Sequence, residues 1–248
     1  HQTIRYFKKQ IELTGVKLVL NKRVSAEDLK SFDEVILATG IVPRAINIEG
    51  ANLQKVVSYV DIIKGNHVAG KRVAVIGAGG IGFDVSEYLS TEDPKHMPSV
   101  QEWLREWGID PNNEVRGGIE GIRPEIPTSP REIVMFQRTE GKVGAKLGKT
   151  TGWIHRTNIK KKKVRMVDGV EYLKIDEEGL HYRDKDDSIK VFACDTVVIC
   201  AGQLSQKELE NPILALKKPV HLIGGASVAA ELDAKRAINQ AARLAAII

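Results

Sequence analysis

The chain has 248 residues, enough for one large domain or two small ones, and a net charge of +5. Apolar residues make up 42 % and aromatics only 5 %, so the core must be built from Val, Ile, Leu and Ala, as in parallel sheets covered by helices. No apolar run reaches membrane-spanning length, no module signature joins the modest basic excess to suggest nucleic acid, and two cysteines without CxxC spacing exclude a four-cysteine cluster or zinc site.

Residues 3–14 place Ile4, Phe7 and Ile11 on one helical face, with Gly15 where a helix stops. The run 16–20 (VKLVL) predicts a strand. Ser25 with Asp28 predicts the cap of a short helix before Phe32. EVILATG (34–40) is a buried strand ending at glycine, and Pro43 keeps the chain extended beyond it. VVSYVDIIKG (56–65) reads as a strand-to-helix connection. A strand at 73–76, a glycine turn and a helix over about 81–89 follow.

Residues 91–130 break the pattern. Six of the nine prolines fall there, with Gly117 and Gly118, so this segment reads as a surface insertion with one short helix around Trp103 and Trp107. EIVMF (132–136) is the next strand. The runs 164–167, 170–175, 180–183 and 190–194 predict short, partly antiparallel strands. TVVICAG (196–202) is another buried strand, VHLIGG (220–225) the last, and a helix after it runs to the end. Cys194 and Cys200 lie in or beside apolar strands and read as buried thiols, which points to a reducing compartment, the cytoplasm. The chain opens on HQTIRYFKKQ, without signal-peptide character and with a helix already under way, which reads as a fragment.

The chemistry concentrates at VAVIGAGGIG (73–82). Gly77, Gly79 and Gly82 form GxGxxG between a strand and a helix, with Gly80 inside the turn. The first glycine permits the tight turn, the second lets backbone approach a pyrophosphate, and the third lets helix pack on strand. The helix start then offers free N–H groups to the phosphates. An acid about twenty residues on would mark an NAD ribose; that count lands on Glu102, inside the irregular insertion, and is rejected. The second strand of the unit is EIVMF, which ends in Gln137-Arg138-Thr139. An arginine there binds a 2′-phosphate that an acid would repel, so NADPH is favoured over NADH.

Lys142, Lys146, Lys149 and Arg156 follow, and LGKTTGWIHR (147–156) is read as completing the pocket. Gly148-Lys149-Thr150 imitates the end of a Walker A loop, but Val143 stands where its first glycine belongs. His155 and His221 read as structural or cofactor-edge groups, and Lys160–Lys163 as a solvated face.

The flanks predict a second nucleotide fold. VILATGIVPR and VVICAGQ share a strand-then-glycine ending, and the last strand leads through paired glycines to a helix whose N-terminus suits the electron-rich edge of a reduced flavin. The chain reads as an α/β protein: a Rossmann-like NADP-binding domain (56–196) inserted in an incomplete FAD-binding domain of the flavoprotein-reductase type (1–55 and 197–248).

On FDEVILATGIVPR, VAVIGAGGIGFDVSEYL, PTSPREIVMFQR, LGKTTGWIHRT, VVICAGQ and VHLIGGASVAAELDAKRAI, the whole chain resembles the C-terminal reductase portion of the bacterial NADPH-dependent 2,4-dienoyl-CoA reductases. These are iron–sulfur flavoenzymes related to old yellow enzyme and trimethylamine dehydrogenase. The resemblance implies NADPH giving hydride to FAD, whose electrons pass through an iron–sulfur cluster to FMN in an N-terminal barrel of the same polypeptide. The barrel would reduce 2,4-dienoyl-CoA in the β-oxidation of unsaturated fatty acids. It implies an NADP-binding role for Arg138 and Thr139, and flavin contacts at Ala38, Thr39, Gly40 and Gly225 and at Leu232, Asp233 and Ala234. Ala226-Ser227 departs from the family, where an acid holds the ribityl chain. No general acid or base is expected. Two other readings stay open: the reductase module of a glutamate synthase-like flavoenzyme, and a non-catalytic nucleotide-binding domain of the kind found in trimethylamine dehydrogenase.

Overall fold

The computed structural model describes residues 2–94, 96–230 and 233–248. The elements in chain order are α1 (Gln2–Leu13), β1 (Val35–Leu37), β2 (Ile41–Pro43), β3 (Val56–Ser58), α2 (Tyr59–Lys64), β4 (Arg72–Ile76), α3 (Gly80–Leu89) and α4 (Val100–Trp107). There follow β5 (Glu132–Phe136), α5 (Gly152–Lys161), β6 (Arg165–Val167), β7 (Glu171–Ile175), β8 (Gly179–Arg183) and β9 (Ile189–Ala193). The chain closes with β10 (Thr196–Ile199), β11 (Gln203–Ser205), α6 (Glu210–Ala215), β12 (Val220–Leu222) and α7 (Ala234–Ala245). They divide into two compact units, one of His1–Val42 with Leu204–Ile248, the other of Pro43–Gln203. Residues 43–55 and 197–203 thus fall in the inserted unit.

The inserted unit has three layers. Its centre is a five-stranded parallel sheet in the order β3-β10-β4-β5-β6. Alternate residues of each strand point to opposite faces. Val73, Val75, Ile133 and Met135 pack on one face with Ile62, Phe83, Leu89 and Ile159 from the helices. Ala74, Ile76, Val134 and Phe136 pack on the other, against Ile175, Leu180 and Phe192 of an antiparallel sheet in the order β7-β8-β9. Burial on both faces explains why β4 and β5 are unbroken apolar runs.

The 91–130 segment carries the expected helix, α4. Ser99 and Glu102 form a reciprocal cap at its start, and Gly108 ends it in the left-handed region at φ +68°. In the other unit β1 pairs in parallel with β12. The small core there joins Val35, Leu37 and Ile213 to Leu29, Leu209 and Val220. Ser25 and Asp28 bond to one another as expected, beside a single helical turn at Glu27–Leu29.

Three expectations need correction. Residues 16–20 form no strand, because no neighbouring strand among the described residues pairs with them and a lone strand leaves its peptide groups to water. The last strand, expected over 220–225, is β12 at Val220–Leu222 alone: a short helical turn at Gly224–Ala226 takes up the paired glycines, and α7 starts at Ala234, capped by Asp233. The segment 147–156, read as completing the pocket with no element assigned to it, runs from Gly152 onward into the helix α5, which continues to Lys161.

Phe136 is fully buried between the parallel and antiparallel sheets and meets the rings of Tyr182 and Phe192 at centroid distances of 4.9 and 6.0 Å. Phe136→Ala is expected to destabilise the inserted unit by about 3–5 kcal/mol, measured as a fall in the urea midpoint of its unfolding transition.

Candidate functional site

The turn between β4 and α3 is built from two tightly packed glycines with two unobstructed ones between them. Gly77 has φ +108°, and a side-chain carbon there would lie 2.7 Å from the Cys200 carbonyl oxygen. A side-chain carbon on Gly82 would run into the Gly77 carbonyl oxygen. Both positions therefore require glycine, the first for conformation and approach, the second so that α3 can sit against the end of β4. Gly79 and Gly80 differ: a carbon added to either meets nothing within 4 Å. The backbone there faces open space.

Gly79 is the N-cap of α3, and no side chain caps it. The helix ladder starts with the Phe83 N–H on the Gly79 carbonyl at 3.1 Å. The amides before it are the unsatisfied donors of a helix start. The residues present fit a dinucleotide pyrophosphate: open backbone, a helix N-terminus and no side chain in the way.

The next strand, β5, ends beside this turn. The Gly77 N–H donates to the Phe136 carbonyl at 3.0 Å. Gln137 folds its side-chain amide onto the Thr139 carbonyl at 2.7 Å. Arg138 and Thr139 are exposed, and Arg138 makes no side-chain hydrogen bond or ion pair among the described residues. It lies near Tyr172, whose phenol is pushed up by burial while the Arg138 charge opposes that rise. The Tyr172 hydroxyl donates to the Phe136 carbonyl at 3.1 Å.

The loop after Thr139 is anchored to α3. Gly144 has φ +73°, and a side-chain carbon there would press on the Phe83 ring at 2.6 Å. Arg156 donates to the Gly144 carbonyl at 2.8 Å. The α5 helix carrying Arg156 is tied to α3 by Asn158 donating to Glu87 at 2.6 Å, and His155 lies 3.7 Å from the same carboxylate. A groove of about 650 Å³ opens beside this loop, lined by Lys142, Trp153, Arg156, Lys160 and Asp168. Lys149 is exposed in the turn before α5 and does not line it. Gly144 was not singled out in the sequence; its left-handed φ is its reason for being glycine.

In the other unit Ala38, Thr39 and Gly40 follow β1. The Thr39 hydroxyl donates to the Gln206 carbonyl. Gly40 has φ +77°, with open space where a side chain would be. A side-chain carbon added to Gly225 would lie 3.1 Å from the Gly40 carbonyl carbon and 2.9 Å from the Ile41 side chain, so glycine lets the two segments approach. Asp233 accepts from the Arg236 N–H at 2.7 Å, and Ala234 is the first residue of α7. Leu232 lies outside the described residues. His221 pairs with Glu34 at 2.8 Å, a structural contact.

Residues 3–219 match the pyridine nucleotide-disulphide oxidoreductase family. The chain belongs to this family. As an oxidoreductase it shares the mixed α/β fold with parallel sheet of FAD- and NAD(P)-binding flavoprotein reductases. A metal reductase of Desulforamulus reducens is 22 % identical over 218 residues, 86 % of this chain and 31 % of that protein. A cinnamate reductase of Clostridium sporogenes is 35 % identical over 91 residues, 36 % of this chain and 13 % of that protein. The solved complex of 2-naphthoyl-CoA reductase with 2-naphthoyl-CoA superposes with a TM-score of 0.74 at 22 % identity, covering 99 % of this chain and 32 % of that one. This chain thus spans about a third or less of the length of each.

Gly82→Ala is expected to destabilise the inserted unit by about 1–3 kcal/mol, whereas Gly80→Ala, in open space within a helix, is expected to leave stability unchanged or slightly raised. Chemical denaturation of the two variants side by side checks this; equal losses would contradict the packing described.

Proposed function

We propose that this chain is the NADPH-to-FAD hydride-transfer module of an iron–sulfur flavoenzyme of the 2,4-dienoyl-CoA reductase kind. The observation that carries the nicotinamide side is the pairing of open backbone at Gly79 and Gly80 with an uncommitted guanidinium, Arg138, at the end of the adjacent strand. The amides at the start of α3 bind the pyrophosphate. Arg138 takes the 2′-phosphate in charge-assisted hydrogen bonds, Thr139 adds a hydroxyl, and the cationic groove with Lys142 and Arg156 receives the adenosine end. Lys149 adds positive potential from the rim.

On the flavin side, Gly40 and Gly225 provide a side-chain-free surface, with Ala38 and Thr39 beside it, and the N-terminus of α7 at Asp233 and Ala234 offers its dipole to the reduced ring. When bound, the nicotinamide and flavin supply the hydride donor and acceptor, and the protein supplies binding and orientation.

The wider assignment rests on resemblance. Two relatives are named as reductases of an aryl-acyl thioester and of cinnamate, and this chain spans about a third or less of each. That is the proportion expected if the rest of the polypeptide is a barrel with FMN, the cluster and the acyl-CoA site. Reduction of a 2,4-dienoyl-CoA in fatty-acid oxidation is the substrate reading.

Calorimetric titration tests the assignment. NADPH is expected to bind more tightly than NADH, and Arg138→Ala to weaken NADPH about 10- to 100-fold, the loss of a hydrogen bond to a charged group, while leaving NADH unchanged. Equal affinity of the unaltered chain for both nucleotides would remove Arg138 from this role.

A further inference from the structure

The lysine run 160–163 does not form a wholly solvated face. Lys162 is only 8 % exposed. Its ammonium donates to the Thr91 hydroxyl at 3.1 Å and forms no ion pair among the described residues. Lys161, Lys162 and Lys163 wall a groove of about 560 Å³. The groove lies where β4 and β5 begin, at the opposite end of these strands from the glycine turn. Lys71 and Arg131 also line it, with Ile126, Pro127 and Pro130 giving it an apolar side.

What separates this groove from ordinary basic surface is how little of its charge is neutralised. Arg72, also in the lining, pairs with Asp195 at 3.3 Å. Glu132, the acid of the lining, is engaged by Arg165 at 3.1 Å. The other cations meet neutral partners. Arg131 donates to the Leu89 and Ala69 carbonyls at 3.1 and 3.4 Å. Lys161 lies 4.0 Å from the centre of the Trp107 ring. Lys71 and Lys163 have no side-chain hydrogen bond or ion pair among the described residues. The C-terminal end of α5 offers about half a negative charge, too little to balance the set. Cations gathered around one groove repel one another unless an anion joins them.

We propose that this groove binds a small ligand carrying two or more linked phosphates. Its volume suits a compound of nucleotide size. Its apolar side suits an organic group next to the phosphates. A small molecule is favoured over an acidic protein face because Lys162 lies below the surface where a flat partner would dock. The site is separate from the dinucleotide turn and leaves that turn free.

The test is a titration of the full chain with tripolyphosphate and with ATP, both with NADPH present at saturation to fill the glycine turn. Calorimetry follows binding, and tryptophan fluorescence reports on Lys161 above Trp107. Saturable binding is expected, weakened tenfold or more by the double substitution Lys71→Gln and Lys163→Gln. Both residues are exposed, and NADPH affinity should be the same in the variant. Tighter binding of ATP would identify a nucleotide, and equal binding an inorganic or other polyphosphate. The proposal is overturned if neither compound binds saturably, if NADPH competes the binding away, if the double variant binds as before, or if only an acidic peptide binds. Should NADPH itself not bind, the glycine-turn assignment fails on its own, and the same titration without it still decides the groove.

Discussion

The seating of α3 against the end of β4, allowed by hydrogen alone at Gly82, fixes the rest of the inserted unit. Helix and strand meet backbone to backbone, so the start of α3 is set by contact and not by a flexible side chain. From there the dependence runs outward. Phe83 follows Gly82 and receives Gly144, Gly144 receives Arg156, and Glu87 one turn on receives Asn158. The loop bearing the cationic residues is thus positioned by the same helix whose first amides face open space. Displacing α3 would move the donors and the cations together.

The sheet contributes through its two faces. Helices cover one and the antiparallel meander covers the other, so β4 and β5 are shielded along their length and only their ends meet solvent. The sites proposed above lie at those ends for that reason. At one end, Tyr172 of the meander reaches across to the last carbonyl of β5, which brings the meander beside Arg138. At the other end, the strand beginnings and the end of α5 gather positive charge. A parallel sheet has two chemically distinct rims, and both of the proposed ligand sites lie on them.

Much of this was legible from sequence because backbone requirements leave narrow signatures. The glycine spacing at 77–82 could be assigned function by function, and the structure shows the steric reason at Gly77 and Gly82. Apolar runs as unbroken as 73–76 and 132–136 admit few other fates. The meander was readable from its short alternating strands. Residues 16–20 misled because an apolar alternation says nothing about whether a neighbour exists to pair with it. Helix α5 was hidden because Thr151 gives no side-chain cap and a lysine run closes it. Those lysines looked solvated because charge in sequence does not reveal that one member is folded under Thr91. The flavin-side positions rested on resemblance alone, and the structure adds the close approach of Gly225 to Gly40.

One consequence follows from the residue beneath the glycine turn. The main chain of Cys200 lies against Gly77, its β-carbon faces Gly82, and its thiol is pushed up to about 12 by burial. Cys194, also buried, is shifted in the same direction. Neither forms the thiolate that exchanges with disulfides at neutral pH. Although the family takes part of its name from disulphides, the two thiols of this chain serve as packing. Alkylating agents that silence thiolate enzymes would find no reactive thiol here until the fold itself opened.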